Sequence, residues 1–260
     1  MRRLAIALLG LVSVACGSGR NSGPQVIAHR GFWNTAGSAK NSIDALRNAI
    51  EIGCYGSEFD VWVTADGVPV VFHDARTATG IEIQSVTLDS LMQGAEPLAN
   101  GERIPTLEEY LTAWNHAPTK LILELKSHRD AEADDRAAGI VLDAVRAFSV
   151  APDEIEYIAF SRHAAKAFVT RECGSPVAYL EGDLSPADAR KQLGVTGIDY
   201  QMNVLREHPE WIDEAHDLGM TVNVWTVVAD DDMQHFTAAA VDQITTDRPD
   251  ALIEQLKVEN

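Results

Sequence analysis

The sequence predicts an α/β protein built as a closed parallel (β/α)8 barrel, with a β-hairpin excursion after the second barrel strand. Three observations lead there. Eight short β-rich runs are each followed by a helical stretch; the units fill about 235 residues with no linker between them. Polar residues gather at the carboxyl ends of the runs, where barrel enzymes place their chemistry. An open doubly wound sheet is the alternative that the same alternation allows.

Ahead of the barrel stands a leader. Arg2 and Arg3 precede an apolar window from Leu4 to Ala15, too short to span a bilayer but of signal-peptide size. Ser13-Val14-Ala15-Cys16 resembles a bacterial lipoprotein signal in which Cys16 becomes the lipidated first residue, although Ser13 replaces the usual aliphatic residue. Ordinary secretion with cleavage nearby is the alternative. Residues 1–16 are thus expected as leader, 17–24 as a flexible tether and 25–260 as one barrel domain. The expected location is the bacterial cell envelope, periplasmic or on the outer surface, with a membrane contact through the lipid on Cys16.

Composition narrows the function classes. Lys and Arg number 21 against 39 Asp and Glu, a net charge of −18, which would repel a nucleic-acid backbone. With residues 1–15 removed, two arginines go and 19 basic residues face 39 acidic ones, or −20. No Cys-x-x-Cys pair exists, which excludes a zinc-cysteine or thioredoxin-like site. Cys54 and Cys173 are read either as free thiols or as a pair in an oxidising compartment.

The first strand, Val26–Arg30, ends His29-Arg30-Gly31: an acid/base group, a fixed cation and a turn-permissive residue. Helix Ser42–Ile52 follows. The second strand, Ser57–Val63, alternates so that Glu58 and Asp60 share one face while Phe59 and Val61 take the other. Such a carboxylate pair is tolerated around a cation, with one member protonated, or in water. Thr64-Ala65-Asp66-Gly67 is too short for a parallel crossover, so Val68–His73 returns antiparallel and brings a second imidazole to the mouth.

Helix Thr106–Trp114 leads to strand Leu121–Lys126, in which Glu124 and Lys126 again share a face. The remaining units are helix Ala131–Phe148, strand Glu156–Phe160, helix 163–172, strand Val177–Leu180, helix Pro186–Gln192 and strand Ile198–Gln201. Helix Pro209–Leu218, strand Thr221–Val227, helix Asp230–Ala239, strand Gln243–Thr246 and helix Asp250–Leu256 complete the chain. Three carboxylates form an oxygen-only donor set suited to one divalent cation, Mg²⁺ or Ca²⁺. With two histidines and two basic residues beside them, the chemistry expected is phosphoryl transfer.

His29-Arg30-Gly31, then Glu58-Phe59-Asp60-Val61 with Thr64, Asp66 and Gly67, then His73-Asp74, resembles the glycerophosphodiester phosphodiesterase family. Ile104-Pro105-Thr106-Leu107, Glu124-Leu125-Lys126, Val224-Trp225-Thr226-Val227 and Thr245-Thr246-Asp247-Arg248-Pro249 extend the resemblance over the mature chain. It implies a TIM-type barrel and metal-dependent hydrolysis of a small glycerophosphodiester to glycerol 3-phosphate and an alcohol. It also implies roles: His29 and His73 as the acid/base pair, Glu58, Asp60 and Glu124 as metal ligands, Arg30 and Lys126 as phosphate contacts, and Trp225 as an apolar wall for the alcohol portion. A phospholipase-type hydrolase or cyclising lyase on intact lipids, or a noncatalytic phospho-ligand-binding surface protein, are the competing readings.

One departure is informative. Where the family helix opens Pro-Glu-Asn-Thr, this chain reads Ala39-Lys40-Asn41-Ser42, and Lys40 either brings positive charge to the mouth or turns outward. The 76–103 stretch is short, which predicts a small cap and an open, modest cleft. His128, Arg129 and Asp130 read as a solvated loop, and Asp230-Asp231-Asp232 as a helix N-terminal cap. Tyr200, Gln201 and Asn203 are expected either to touch substrate or to cap, and Phe32 and Trp33 either to line the cleft or to pack beneath their loop.

Overall fold

A computed structural model describes residues 23–171 and 173–258. The leader ending at Cys16 and residues 17–22 of the expected tether lie outside the described residues. One sheet contains β1 (Gln25–Ala28), β2 (Gly56–Val63), β3 (Pro69–Val71), β4 (Lys120–Leu125), β5 (Ile155–Ala159), β6 (Val177–Tyr179), β7 (Gly197–Gln201), β8 (Thr221–Trp225) and β9 (Gln243–Thr246). β1 pairs in parallel with both β9 and β2, so eight strands close into a barrel and the open-sheet alternative falls away. β3 is the predicted excursion, antiparallel to β2 with Val61 opposite Val71. Thr64 Oγ1 donates to Asp66 at 2.6 Å and accepts from Val68 N, which fixes the turn.

Around the barrel lie α1 (Ile43–Glu51), α3 (Leu107–Trp114), α4 (Ala131–Ala147), α5 (Arg162–Thr170), α6 (Pro186–Leu193), α8 (Glu210–Asp217), α9 (Asp230–Ala238) and α10 (Pro249–Val258). Short polar side chains start several of them: Ser42 caps α1, Ser161 caps α5, and Thr106 with Glu109 forms a capping box on α3. Two further helices, α2 (Leu88–Gly94) and α7 (Met202–Glu207), were not in the expected alternation. Each spans about two turns, too little for a 3.6-residue repeat to show. α2 and the short 3₁₀ turn Ile83–Ser85 build a satellite core in which Ile83, Leu91 and Ile104 pack on Trp62 and Val70.

The strands bury both faces, as a barrel requires. Outward, Phe59, Val61, Leu123, Tyr157, Val222 and Val224 meet the helices; inward, Ile27, Ile122, Ile158 and Leu180 form an apolar middle layer. Beneath that layer Glu156 accepts from the Tyr55 hydroxyl (2.8 Å), Lys120 Nζ (3.3 Å) and Gln243 Nε2 (3.0 Å), so the buried charge is paired and hydrogen-bonded. Cys54 is buried and Cys173 half-buried, and both are free thiols. Burial pushes the Cys54 thiol up to about 12, which leaves it an inert core residue.

Candidate active site

The strand register brings the predicted residues to one end of the barrel. Asp60 stands directly beside Glu124 across the β2–β4 pair, and Ala28, just before His29, pairs with both Ser57 and Thr246. Side chains of register partners in a parallel pair point the same way, so the inward alternation of each strand ends at a common mouth. Carboxylate oxygens of Glu58, Asp60 and Glu124 all lie within 4.8 Å of one another, and all three residues are buried. Among the described residues this is the one group of acidic, histidine or cysteine ligand atoms so arranged.

The chain turns sharply after β1. Arg30 has φ 57° and Gly31 φ 75°, so the strand stops two residues earlier than the apolar pattern suggested. The Arg30 N–H donates to Glu58 Oε2 at 2.7 Å, the Gly31 N–H to the Glu58 carbonyl at 3.0 Å, and the Asn41 N–H to the Arg30 carbonyl at 3.0 Å. The Asn41 amide then donates to Asp60 Oδ2 at 2.8 Å and accepts from Asp60 N at 3.1 Å. The loop between β1 and α1 is therefore stitched to two of the carboxylates at both ends.

Basic and polar groups face the acids. Lys126 Nζ lies 2.6 Å from Glu124 Oε1 and 3.2 Å from Asp60 Oδ1, and Arg30 Nε lies 3.5 Å from Asp60 Oδ2. Burial alone would raise the Asp60 carboxyl, but Lys126, His73, Arg30 and the Asn41 amide outweigh it and lower the group to about 2. Glu58 and Glu124 go the other way: burial first, then the neighbouring carboxylates, push both well up. Two basic residues do not neutralise three buried acids. A hard cation fits what remains, because every donor is oxygen and no thiolate or imidazole competes among them.

Each histidine is held by a carboxylate through Nδ1. His29 Nδ1 is 2.7 Å from Asp247 Oδ1, and His73 Nδ1 is 2.7 Å from Asp74 Oδ1. The Nδ1 contact fixes ring orientation and leaves Nε2 for other work. Asp247 also accepts from the Trp33 indole at 3.0 Å; burial raises its carboxyl, but these two donors and Lys40 win and lower it. Burial lowers His73, with the charges of Lys126 and Arg30 adding to it and Asp60 and Asp74 opposing.

Two cavities meet here. A pocket of about 170 Å³ is lined by His29, Glu58, His73, Glu124, Lys126 and Trp225, among others. Its apolar side includes Ile158 and Leu180, with Phe160 edge-on to Trp225 at 5.5 Å. Outside it, between the β1–α1 loop and the 76–103 segment, opens a cleft of about 1020 Å³ that shares Arg30 and His73. The expected cleft was open but modest; it is open and large, although Asn100 of the 76–103 segment reaches the loop and donates to the Gly37 carbonyl at 3.5 Å.

Not every candidate joins the site. His128 is no solvated loop residue: its side chain is 4 % exposed, Val63 N donates to its Nε2 at 3.2 Å, and its Nδ1 meets the Lys126 carbonyl at 2.8 Å. Asp130 caps α4. Gln201 caps α7 by accepting from Asn203 N, and the buried Tyr200 donates to the Leu184 carbonyl, so both are structural. Asp230, Asp231 and Asp232 sit in the first turn of α9, but Ala229 occupies the cap position. Trp33 lines the large cleft, whereas Phe32 packs on Ala28, Ala49 and Cys54.

Sequence reasoning gave Asp247 no role of its own, although it directly follows the last barrel strand; only closure of β9 on β1 puts it beside His29. Asp199, buried on β7 and lining the small pocket, carried no signal beyond its place in an apolar run.

Known proteins resemble this chain in sequence and fold. The profile of the glycerophosphoryl diester phosphodiesterase family matches residues 29–251. A glycerophosphodiester phosphodiesterase from Parabacteroides distasonis is 45% identical, with a TM-score of 0.88 over 92% of this chain and 98% of that one. The glycerophosphodiester phosphodiesterase of Caldanaerobacter subterraneus subsp. tengcongensis is 28% identical over 251 residues, 88% of this chain and 96% of that protein. An Oleispira antarctica phosphodiesterase, solved with its product sn-glycerol-3-phosphate, is 21% identical and shares the fold, with a TM-score of 0.76.

Proposed function

The chain belongs to the glycerophosphoryl diester phosphodiesterase family, and from that premise we propose that it hydrolyses small glycerophosphodiesters to glycerol 3-phosphate and an alcohol, with His29 and His73 as the acid/base pair. One observation carries the reading: two histidines, each fixed through Nδ1 to its own carboxylate, line the same small pocket as Glu58, Glu124 and Lys126.

The chain's own groups account for the proton movements. One imidazole accepts the proton of the attacking hydroxyl at Nε2 as the new P–O bond forms, and the other gives a proton to the alcohol oxygen as its bond to phosphorus breaks. Attack by the glycerol hydroxyl leaves a cyclic phosphate, which water opens as the two rings exchange roles and the P–O bond to that hydroxyl breaks. Attack by water gives glycerol 3-phosphate at once, and the rings regain their starting charge by proton exchange with solvent. Arg30 and Lys126 meet the phosphate oxygens, where negative charge grows in the transition state. Glu58, Asp60 and Glu124 would hold one divalent cation, Mg²⁺ or Ca²⁺, which supplies Lewis-acid polarisation of the phosphoryl group when bound. Asn41 and the Arg30 N–H fix two of those carboxylates in position.

The leader composition supports export: residues 1–16 act as a signal, Cys16 anchors the chain to a membrane of the cell envelope, residues 17–24 form the tether and residues 25–260 work as one domain. The acid/base assignment is tested by His29→Ala and His73→Ala. Each should cut kcat by about 10²- to 10⁴-fold while far-UV circular dichroism and thermal midpoint stay close to the parent. Activity retained in both variants would contradict the assignment.

A further inference from the structure

The two cavities share Arg30 and His73, so a phosphodiester seated there extends one alcohol half into each. The pocket of about 170 Å³ matches a group of glycerol's size, whereas the cleft of about 1020 Å³ has room for a far larger one. Trp225 lines the small pocket.

The charges lining the large cleft are unequal in their freedom. Asp74 is bonded to His73, and the Glu96 carboxylate accepts the backbone N–H groups of Ala78 and Thr79. Arg30 faces the buried Asp60. Lys40 differs: it is exposed, its Nζ stands 4.4 Å from the centroid of the Trp33 ring, and among the described residues no carboxylate lies within ion-pair distance of it, although its charge acts on Asp247 from further off. The ring beneath it is anchored, since the Trp33 indole donates to Asp247.

We propose that Lys40 is a specificity-determining residue that selects glycerophosphodiesters whose second alcohol carries its own negative charge, a carboxylate or a further phosphate. An ammonium held on an aromatic face attracts such a group across the cleft. It also occupies the π-face that a quaternary ammonium such as choline would otherwise use, so the same side chain disfavours cationic alcohols. On a chain of net charge −18, an anionic substrate needs such a local cation.

The inference rests on the phosphodiesterase reading, and the test separates the two. The kcat/KM values of the protein, Lys40→Met and Lys40→Glu are measured on four substrates. They are bis(glycerophospho)glycerol, whose leaving alcohol carries a phosphate; glycerophospho-3-hydroxypropionate, whose alcohol carries a carboxylate; neutral glycerophosphoglycerol; and glycerophosphocholine. The parent should favour both anionic alcohols over glycerophosphocholine by about fivefold or more, Lys40→Met should bring the ratio near one, and Lys40→Glu should invert it. Preference for the phosphate arm alone would narrow the proposal to phosphorylated alcohols. Ratios that all three proteins share, with turnover intact, overturn the Lys40 assignment and leave the reaction standing. No turnover of any of the four substrates by the parent overturns both.

Discussion

Asp199 shows how a single residue can shape stability without joining the proton transfers. Its side chain is buried and, among the described residues, Oδ1 has no hydrogen-bond partner. Burial pushes its carboxyl from 3.8 up to about 7; Asn223 opposes the shift and Glu156 adds to it. Between those values the folded chain keeps a proton that the unfolded chain has released. Stability therefore falls as pH rises through this window, and the full penalty stands above about 7. Asp199→Asn removes the titration. Relative to the parent, its unfolding free energy in urea should improve by roughly 3 kcal/mol between pH 5 and pH 8. A difference that does not change with pH would contradict the assignment.

At the same scale, legibility followed the strand ends. His29, Glu58, Asp60, His73, Glu124 and Lys126 could be read because each interrupts or follows an apolar run with the right period. Asp247 needed the β1–β9 closure, and His128 misled because its imidazole satisfies a backbone N–H of β2 instead of facing water.

Among the elements, the β1–α1 loop does most to shape the site. It depends on Gly31, whose φ is 75° and whose added Cβ would lie 2.7 Å from the Ala45 backbone carbon. Gly31→Ala would strain the backbone and push α1 from the strand. The expected loss is about 2–4 kcal/mol, seen as a fall of about 5–10 °C in thermal midpoint. Turnover should fall further than stability explains, because Arg30 and Asn41 lie on the same turn. An unchanged midpoint would show that the loop is less tightly held than its geometry implies. The hairpin was legible from Asp66-Gly67, since four residues cannot make a parallel crossover. α2 was not: seven residues between turns carry too little periodicity to declare a helix.

For the whole molecule, a strongly acidic chain places two partly buried basic groups where the proposed reaction would seat phosphate. Lys126 and Arg30 sit among three carboxylates at the mouth of a closed barrel. The barrel was legible as a count of eight strand and helix units, and the sheet closure that confirms it lies in the β1–β2 and β1–β9 pairings. The central claim joins that architecture to one reaction at one acidic, two-histidine site. It is tested most directly by phosphorus NMR of the purified protein with glycerophosphoglycerol, in Mg²⁺ or Ca²⁺ and again after chelation. The account predicts conversion to glycerol 3-phosphate with a divalent cation and its loss on chelation. An unchanged rate in chelator would contradict the metal role of Glu58, Asp60 and Glu124, and absence of product under every condition would contradict the reaction itself.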